Sequence, residues 1–173
     1  YERELEDIFA LQDDIARTIV NTLKMDYITH TDIPVSPKKE TSIKAFNSYI
    51  KGRQFWNQRS EKGLKKAIKY FKQTLSEDPE YDLAYTGIAT SYGLMADYGY
   101  MVRDEALSLA MINLEKAQDI DPNTAELNTA LAYINWMDNK DKSVIESYFK
   151  KAIKINPNYS TANHWLSDFL GNV

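Results

Sequence analysis

The chain has no cysteine and only two histidines in 173 residues. Without thiols it forms no disulfide, no thiolate metal site and no cysteine nucleophile. Cysteine absence alone does not separate a reducing compartment from a periplasm. We place the chain in the cytoplasm and leave the periplasm open. Glycine is scarce as well, with six residues, and no glycine-rich loop precedes a helix in the pattern that cradles phosphates. No run approaches the roughly 18 apolar residues of a spanning helix, and the N-terminus lacks the basic, apolar, small-residue order of a signal peptide. Basic charge is not in excess: 21 Lys and Arg against 25 Asp and Glu give a net charge of −4. That balance argues against direct nucleic-acid binding, which needs a basic face to release phosphate counterions.

The inventory for catalysis is equally thin. His30 and His164 are the two histidines, and neither has a nucleophile or second base in a recognisable pattern. His164 stands beside Trp165 and four residues before Asp168, which allows a hydrogen bond across one helical turn. We expect no catalytic residue and no cofactor. The acidic turn DNKDKSVIESYF at 138–149 is superficially a calcium loop. Lysines occupy its third and fifth positions, and it lacks the central glycine and terminal glutamate, so we expect no metal there. The lysines of EKGLKKAIKYFK (61–72) and FKKAIK (149–154) fall on outer helix faces, where solvation accounts for them.

What the chain does have is 43% hydrophobic residues in helical spacing. Leu5, Ile8, Ile15, Ile19 and Leu23 form a stripe over residues 3–24, the pattern of one amphipathic helix. The pattern dissolves over residues 26–41, where Pro34 and Pro37 mark a linker. Thr41 or Ser42 then suits the start of a new helix, and helical periodicity continues to the end. Within it one arrangement recurs: FKQTLSEDPEYDLAY, LEKAQDIDPNTAEL and FKKAIKINPNYSTA, centred on Pro79, Pro122 and Pro157. Upstream of each proline lies a residue followed four later by a large apolar one: Ala67 with Phe71, Ala110 with Leu114, Ile145 with Phe149. Only the third pair replaces the small member. The stretch GLMADYGYMVRDE carries about nine residues more than the repeat length of about 34. It predicts a lengthened hairpin with Tyr98, Tyr100 and Met101 folded back on a neighbouring helix.

Tyr85, Ile88, Ala89 and Tyr92 match the first-helix pattern W-x2-L-G-x2-Y in relaxed form. Gly52 and Phe55 match its end in an earlier copy, whereas Asn128 and Asn135 replace aromatics in a later one. On these residues the chain resembles the tetratricopeptide repeat (TPR) family over residues 42–171. The resemblance implies an all-α fold: a right-handed superhelix of helical hairpins, here preceded by one separate amphipathic helix. The divisions are repeat 1 at 42–79, repeat 2 with its insertion at 80–122, repeat 3 at 123–157, and the first helix of a fourth repeat at 158–173.

The opening YERELEDIFALQDDIARTIVNTLKM looks like the segment that closes a TolB-like domain in bacterial multidomain regulators, so residues 1–25 read as its remnant. In such proteins the upstream partner is often a class III adenylate or guanylate cyclase, a winged-helix DNA-binding domain or a protein kinase. The chain accordingly reads as a fragment of a larger signalling protein. The stripe over 3–24 needs cover, from its own repeats or from a homodimer built through this helix.

In the TPR family the first helices line a concave groove that receives a peptide or partner helix. The residues displaced from packing positions are Tyr49, Arg53 and Trp56; Thr86 and Thr90; Thr129, Tyr133 and Trp136; and His164 and Asp168. Tyr, Trp and Arg are frequent interface anchors, and packing against the next hairpin is an equal alternative for each aromatic. Family members that hold chaperone C-termini use lysine, asparagine and arginine on successive first helices. Thr90, Glu126 and Ala130 stand at those positions here, so a chaperone-tail receptor is not expected.

Overall fold

The computed structural model describes residues 43–171; the N-terminal helix at 3–24, the linker, the capping residues 41 and 42 and the candidate dimer surface lie outside the described residues. The described chain is all-α: α1 (Ile43–Trp56), α2 (Glu61–Glu77), α3 (Asp82–Asp97), α4 (Arg103–Ile120), α5 (Ala125–Met137), α6 (Lys142–Ile155) and α7 (Ser160–Gly171). Helices α1/α2, α3/α4 and α5/α6 pack as antiparallel hairpins. Their first helices also stack, α1 on α3, α3 on α5 and α5 on α7. The result is a TPR-like superhelix.

Three equivalent turns set the repeat. Asp78, Asp121 and Asn156 each precede a proline and are extended, with φ/ψ of −143/95°, −148/98° and −139/95°. Proline excludes the helical conformation at the residue before it, which ends each second helix there. The same three side chains accept from the backbone N–H two residues on, that of Glu80, Asn123 and Asn158, at 3.1, 3.0 and 3.1 Å. Such Asx turns replace the hydrogen bonds that the interrupted helix gives up. Ser60 and Thr124 cap α2 and α5 by accepting from Gly63 N and Leu127 N, both at 3.2 Å.

The second helices bury a repeating triplet: Ala67, Phe71 and Thr74; Ala110, Leu114 and Ala117; Ile145, Phe149 and Ala152. Phe71 shows how the hairpins mesh. Its Cδ1/Cε1 edge lies against Gly52 of α1 and its Cδ2/Cε2 edge against Gly87 of α3, so close that a Cβ on either glycine would come within 2.5 to 2.7 Å of the ring. One ring thus joins its own hairpin to the next, because neither helix places a side chain in its way.

The extra length in the second hairpin is taken up by the helices themselves. α3 and α4 have 16 and 18 residues, against 13 and 14 in α5 and α6. Gly99, at φ +70°, turns the chain between them. Met101 packs on the core, whereas Tyr98 and Tyr100 remain partly exposed with their rings edge to face at 5.8 Å. At the start of α4, Arg103 donates from Nε and Nη2 to the Met137 carbonyl at the end of α5, at 3.0 and 2.6 Å.

Candidate functional site

The four first helices face one another across the concave side, and their inward residues converge on a narrow shaft. α1 contributes Tyr49, Arg53 and Trp56, and α3 contributes Thr86, Gly87 and Thr90. Glu126, Thr129 and Ala130 come from α5, Tyr159 from the turn just before α7, and Thr161 and Trp165 from α7 itself. The free cavity is about 10 Å³, room for about one water molecule. This shaft is therefore filled by its own side chains.

Aromatic rings do most of the filling. Trp56 lies 6.2 Å from Trp165, ring centre to ring centre, so the end of α1 meets the middle of α7 across the shaft. Trp165 stacks on Tyr133 of α5 at 4.1 Å and 23° between planes. The Tyr133 hydroxyl donates to Asp97 Oδ2 of α3 at 3.1 Å. This chain of contacts ties all four first helices together. A second bridge lines the same shaft, where Arg53 hydrogen-bonds the Tyr159 hydroxyl and the Glu126 carboxylate acts electrostatically on both Tyr159 and Tyr49. Burial raises the pKa of the Tyr49 and Tyr159 hydroxyls, that of Tyr49 well above its ordinary range, with Arg53 opposing the shift in both. Burial does the same to Tyr133, reinforced by the Asp97 carboxylate.

Trp56 is 3% exposed and has two guanidinium groups against its ring. Arg53 lies 4.8 Å and Arg59 3.6 Å from its ring centre, within cation–π range. Arg59 reaches this position because its backbone is left-handed, at φ 51°, in the turn between α1 and α2. Burial lowers its pKa, while Tyr98 and Tyr133 raise it. Two donors in this stack, Trp56 Nε1 and Arg59 Nη1, are buried with no hydrogen-bond partner among the described residues.

Of the residues singled out in the sequence, the structure brings Tyr49, Arg53, Trp56, Thr86, Thr90 and Thr129 together in the shaft. The three threonines donate to carbonyls one turn back: Thr86 to Asp82 O at 3.1 Å, Thr90 to Thr86 O at 3.1 Å and Thr129 to Ala125 O at 2.8 Å. Their hydroxyl protons are engaged with their own helices. Tyr133 and Trp136 pack the α5/α7 contact, Trp136 edge-on to Phe169 at 5.5 Å. His164 and Asp168 pair at 3.4 Å on the exposed side of α7, with side chains 70% and 48% accessible. The repeat pattern does not single out Glu126, Tyr159, Trp165 or Arg59 as groove residues. Trp165 was legible as an aromatic seven residues before Asn172 but at hairpin-packing spacing with Ala162 and Phe169, so only the curvature of the array reveals its reach to α1. Among the described residues no group of three or more His, Cys, Asp or Glu is placed to hold a metal. No described helix is long and apolar enough to cross a membrane.

The fold is that of a TPR-like helical domain. It resembles the first TPR domain of Spaghetti (RPAP3) bound to the HSP90 peptide SRMEEVD, with a TM-score of 0.52 and 15% identity over 75% of this chain and 92% of that one. It likewise resembles the first TPR domain of human RPAP3 in solution, with a TM-score of 0.55 and 14% identity over 72% and 88% of the two chains. At that identity the likeness establishes fold alone. In sequence the chain is 28% identical over 89 residues to putative adenylate cyclase 3 of Rhizobium meliloti (strain 1021). The match takes in 51% of this chain and 15% of that protein. No protein-family model matches the chain.

Proposed function

We propose that residues 42–171 are a non-catalytic protein-interaction region of a larger bacterial signalling or regulatory protein, receiving a partner peptide or helix on the concave face. The observation that carries this reading is the convergence of Tyr49, Arg53 and Trp56 with Glu126, Tyr159 and Trp165 on one face of a TPR-like array. Tyr, Trp and Arg are the side chains most often found as interface anchors. The TPR neighbour bound to a peptide supports the class of partner, not its sequence. The repeat divisions at 79, 122 and 157, a homodimer through residues 3–24 and a cytoplasmic setting belong to the same reading.

A photocrosslinking residue at Arg53 or Thr161, both half-buried on the concave face, should label a cellular partner. The same group at Lys69, exposed on the α2 surface, should not. Equal labelling from both faces, or labelling from Lys69 alone, would overturn the reading.

A second reading is favoured by the similarity to putative adenylate cyclase 3. In it these repeats are the regulatory part of a class III adenylate or guanylate cyclase whose catalytic domain lies elsewhere in the polypeptide. Cyclase activity of the full-length protein, measured with and without Arg53→Glu, tests this directly. Absence of nucleotide cyclisation in the full-length protein would remove it.

A further inference from the structure

We propose that the Trp56–Trp165 contact is a latch that holds the concave face shut, and that the face opens by separation of α1 from α7. The shaft admits about one water molecule, whereas an extended peptide needs roughly 5 Å of lateral room and a helix about 10 Å. A partner of either kind therefore enters the shaft only after α1 and α7 move apart. Calling the opened face a binding surface rests on the function proposed above; the latch itself does not.

Three observations locate the moving contact. First, α1 and α7 share no close backbone approach; each is held by its neighbours, α1 by α2 and α3, α7 by α5 and α6. What joins them is the pair of side-chain bridges, Trp56 to Trp165 and Arg53 to Tyr159. Breaking side-chain bridges leaves every hairpin intact, which is the property a two-state element needs. Second, the bridges sit at the two ends of the array, where a small change in the angle between successive hairpins accumulates into the largest displacement. Third, closure buries Trp56 Nε1 and Arg59 Nη1 with no acceptor among the described protein atoms. Donors that no protein atom satisfies favour the closed state less than paired ones would, and opening returns both to solvent or offers them to a partner. The stack of Trp165 on Tyr133 lies wholly between α7 and its neighbour α5, so Trp165 stays anchored when α1 leaves.

The absence of native cysteine makes the motion directly measurable. Spin labels at Gln54→Cys on α1 and Ser167→Cys on α7, both exposed positions, report the α1 to α7 separation by pulsed dipolar spectroscopy. The otherwise native protein should give one narrow, short distribution. Trp56→Leu, and independently Trp165→Leu, should add a population longer by at least about 5 Å, with helical circular dichroism retained. Trp56→Phe, whose smaller ring loses contact with Trp165, serves where a leucine loosens the hairpin. An unchanged narrow distribution in the folded variants would show that backbone curvature alone sets the closure, and the latch would be refuted. A broad distribution before any substitution would refute it equally. No partner enters this measurement, so opening without concave crosslinking defeats only the proposed function, and the reverse defeats only the latch.

Discussion

Gly87→Ala tests whether Phe71 is the element that locks one hairpin to the next. At an open helix-interior site the replacement of glycine by alanine stabilises by roughly 0.5 to 1 kcal/mol, since alanine loses less backbone freedom on folding. At Gly87 the new methyl would lie 2.7 Å from Phe71 Cε2 and Cζ and 3.0 Å from Cδ2. An aromatic ring with free space behind it would tilt away. Here the far edge of the same ring already abuts Gly52, where a Cβ would sit 2.5 Å from Cε1. Relief on one side therefore becomes collision on the other. Overpacking of this kind costs about 1 to 3 kcal/mol, which outweighs the propensity gain, and the expected net effect is a loss of about 0.5 to 2 kcal/mol.

The double-mutant cycle with Phe71→Leu makes the cause specific. Leucine vacates the ring edges that meet the two glycines. In that background Gly87→Ala should be neutral or stabilising by up to about 1 kcal/mol, a change of sign relative to its effect beside phenylalanine. Urea denaturation followed by circular dichroism at 222 nm reads all four corners. Coupling of about 1 kcal/mol or more is expected for side chains in direct contact. If Gly87→Ala stabilises beside the native Phe71, the ring does not occupy the space between α1 and α3, and the account of hairpin meshing is wrong.

Alkaline stability should fall early, because burial, with Asp82 and Asp78 adding to it, pushes Tyr81 up to about 12. An unfolded tyrosine ionises near 10, so the unfolded chain binds fewer protons between those values; stability is full below about pH 9 and declines from about 10 to 12. Tyr49, Tyr133 and Tyr159 shift the same way, and tyrosinate absorbance at 295 nm should rise in step with loss of helix; tyrosinate appearing first would contradict their burial. Thr124→Ala removes the cap on Leu127 N and should cost about 1 kcal/mol, with Thr124→Ser retaining most of it in a thermal melt. Arg103→Ala frees the Met137 carbonyl and should cost about 1 kcal/mol; an unchanged denaturation midpoint would show that the fork adds nothing to the α4/α5 junction.

Much of the fold is written locally. Asp78-Pro79, Asp121-Pro122 and Asn156-Pro157 specify both the end of a helix and the side chain that repairs the turn, within three residues each. The buried triplets of the second helices follow helical spacing, so their inward direction is fixed by the sequence around them. The insertion was visible as extra length, but not its destination. The extra residues extend α3 and α4, and Tyr98 and Tyr100 stay partly exposed at the turn between them.

The site was less legible because its contacts are not local. Trp56 and Trp165 occupy opposite ends of the described array, and their meeting depends on the summed rotation of three hairpins, a quantity no short window of sequence contains. His164 and Asp168 pair across one turn of α7 with both side chains accessible, apart from the residues that converge in the shaft; Tyr159 and Arg59 stand outside the regular helices, where periodicity assigns no face. Arg59 is itself left-handed in the turn after α1, and its guanidinium stacks on Trp56. The repeat pattern accordingly specifies where a concave face must be and places Trp56 on it, while Trp165, at hairpin-packing spacing with Ala162 and Phe169, meets Trp56 only through the curvature of the array.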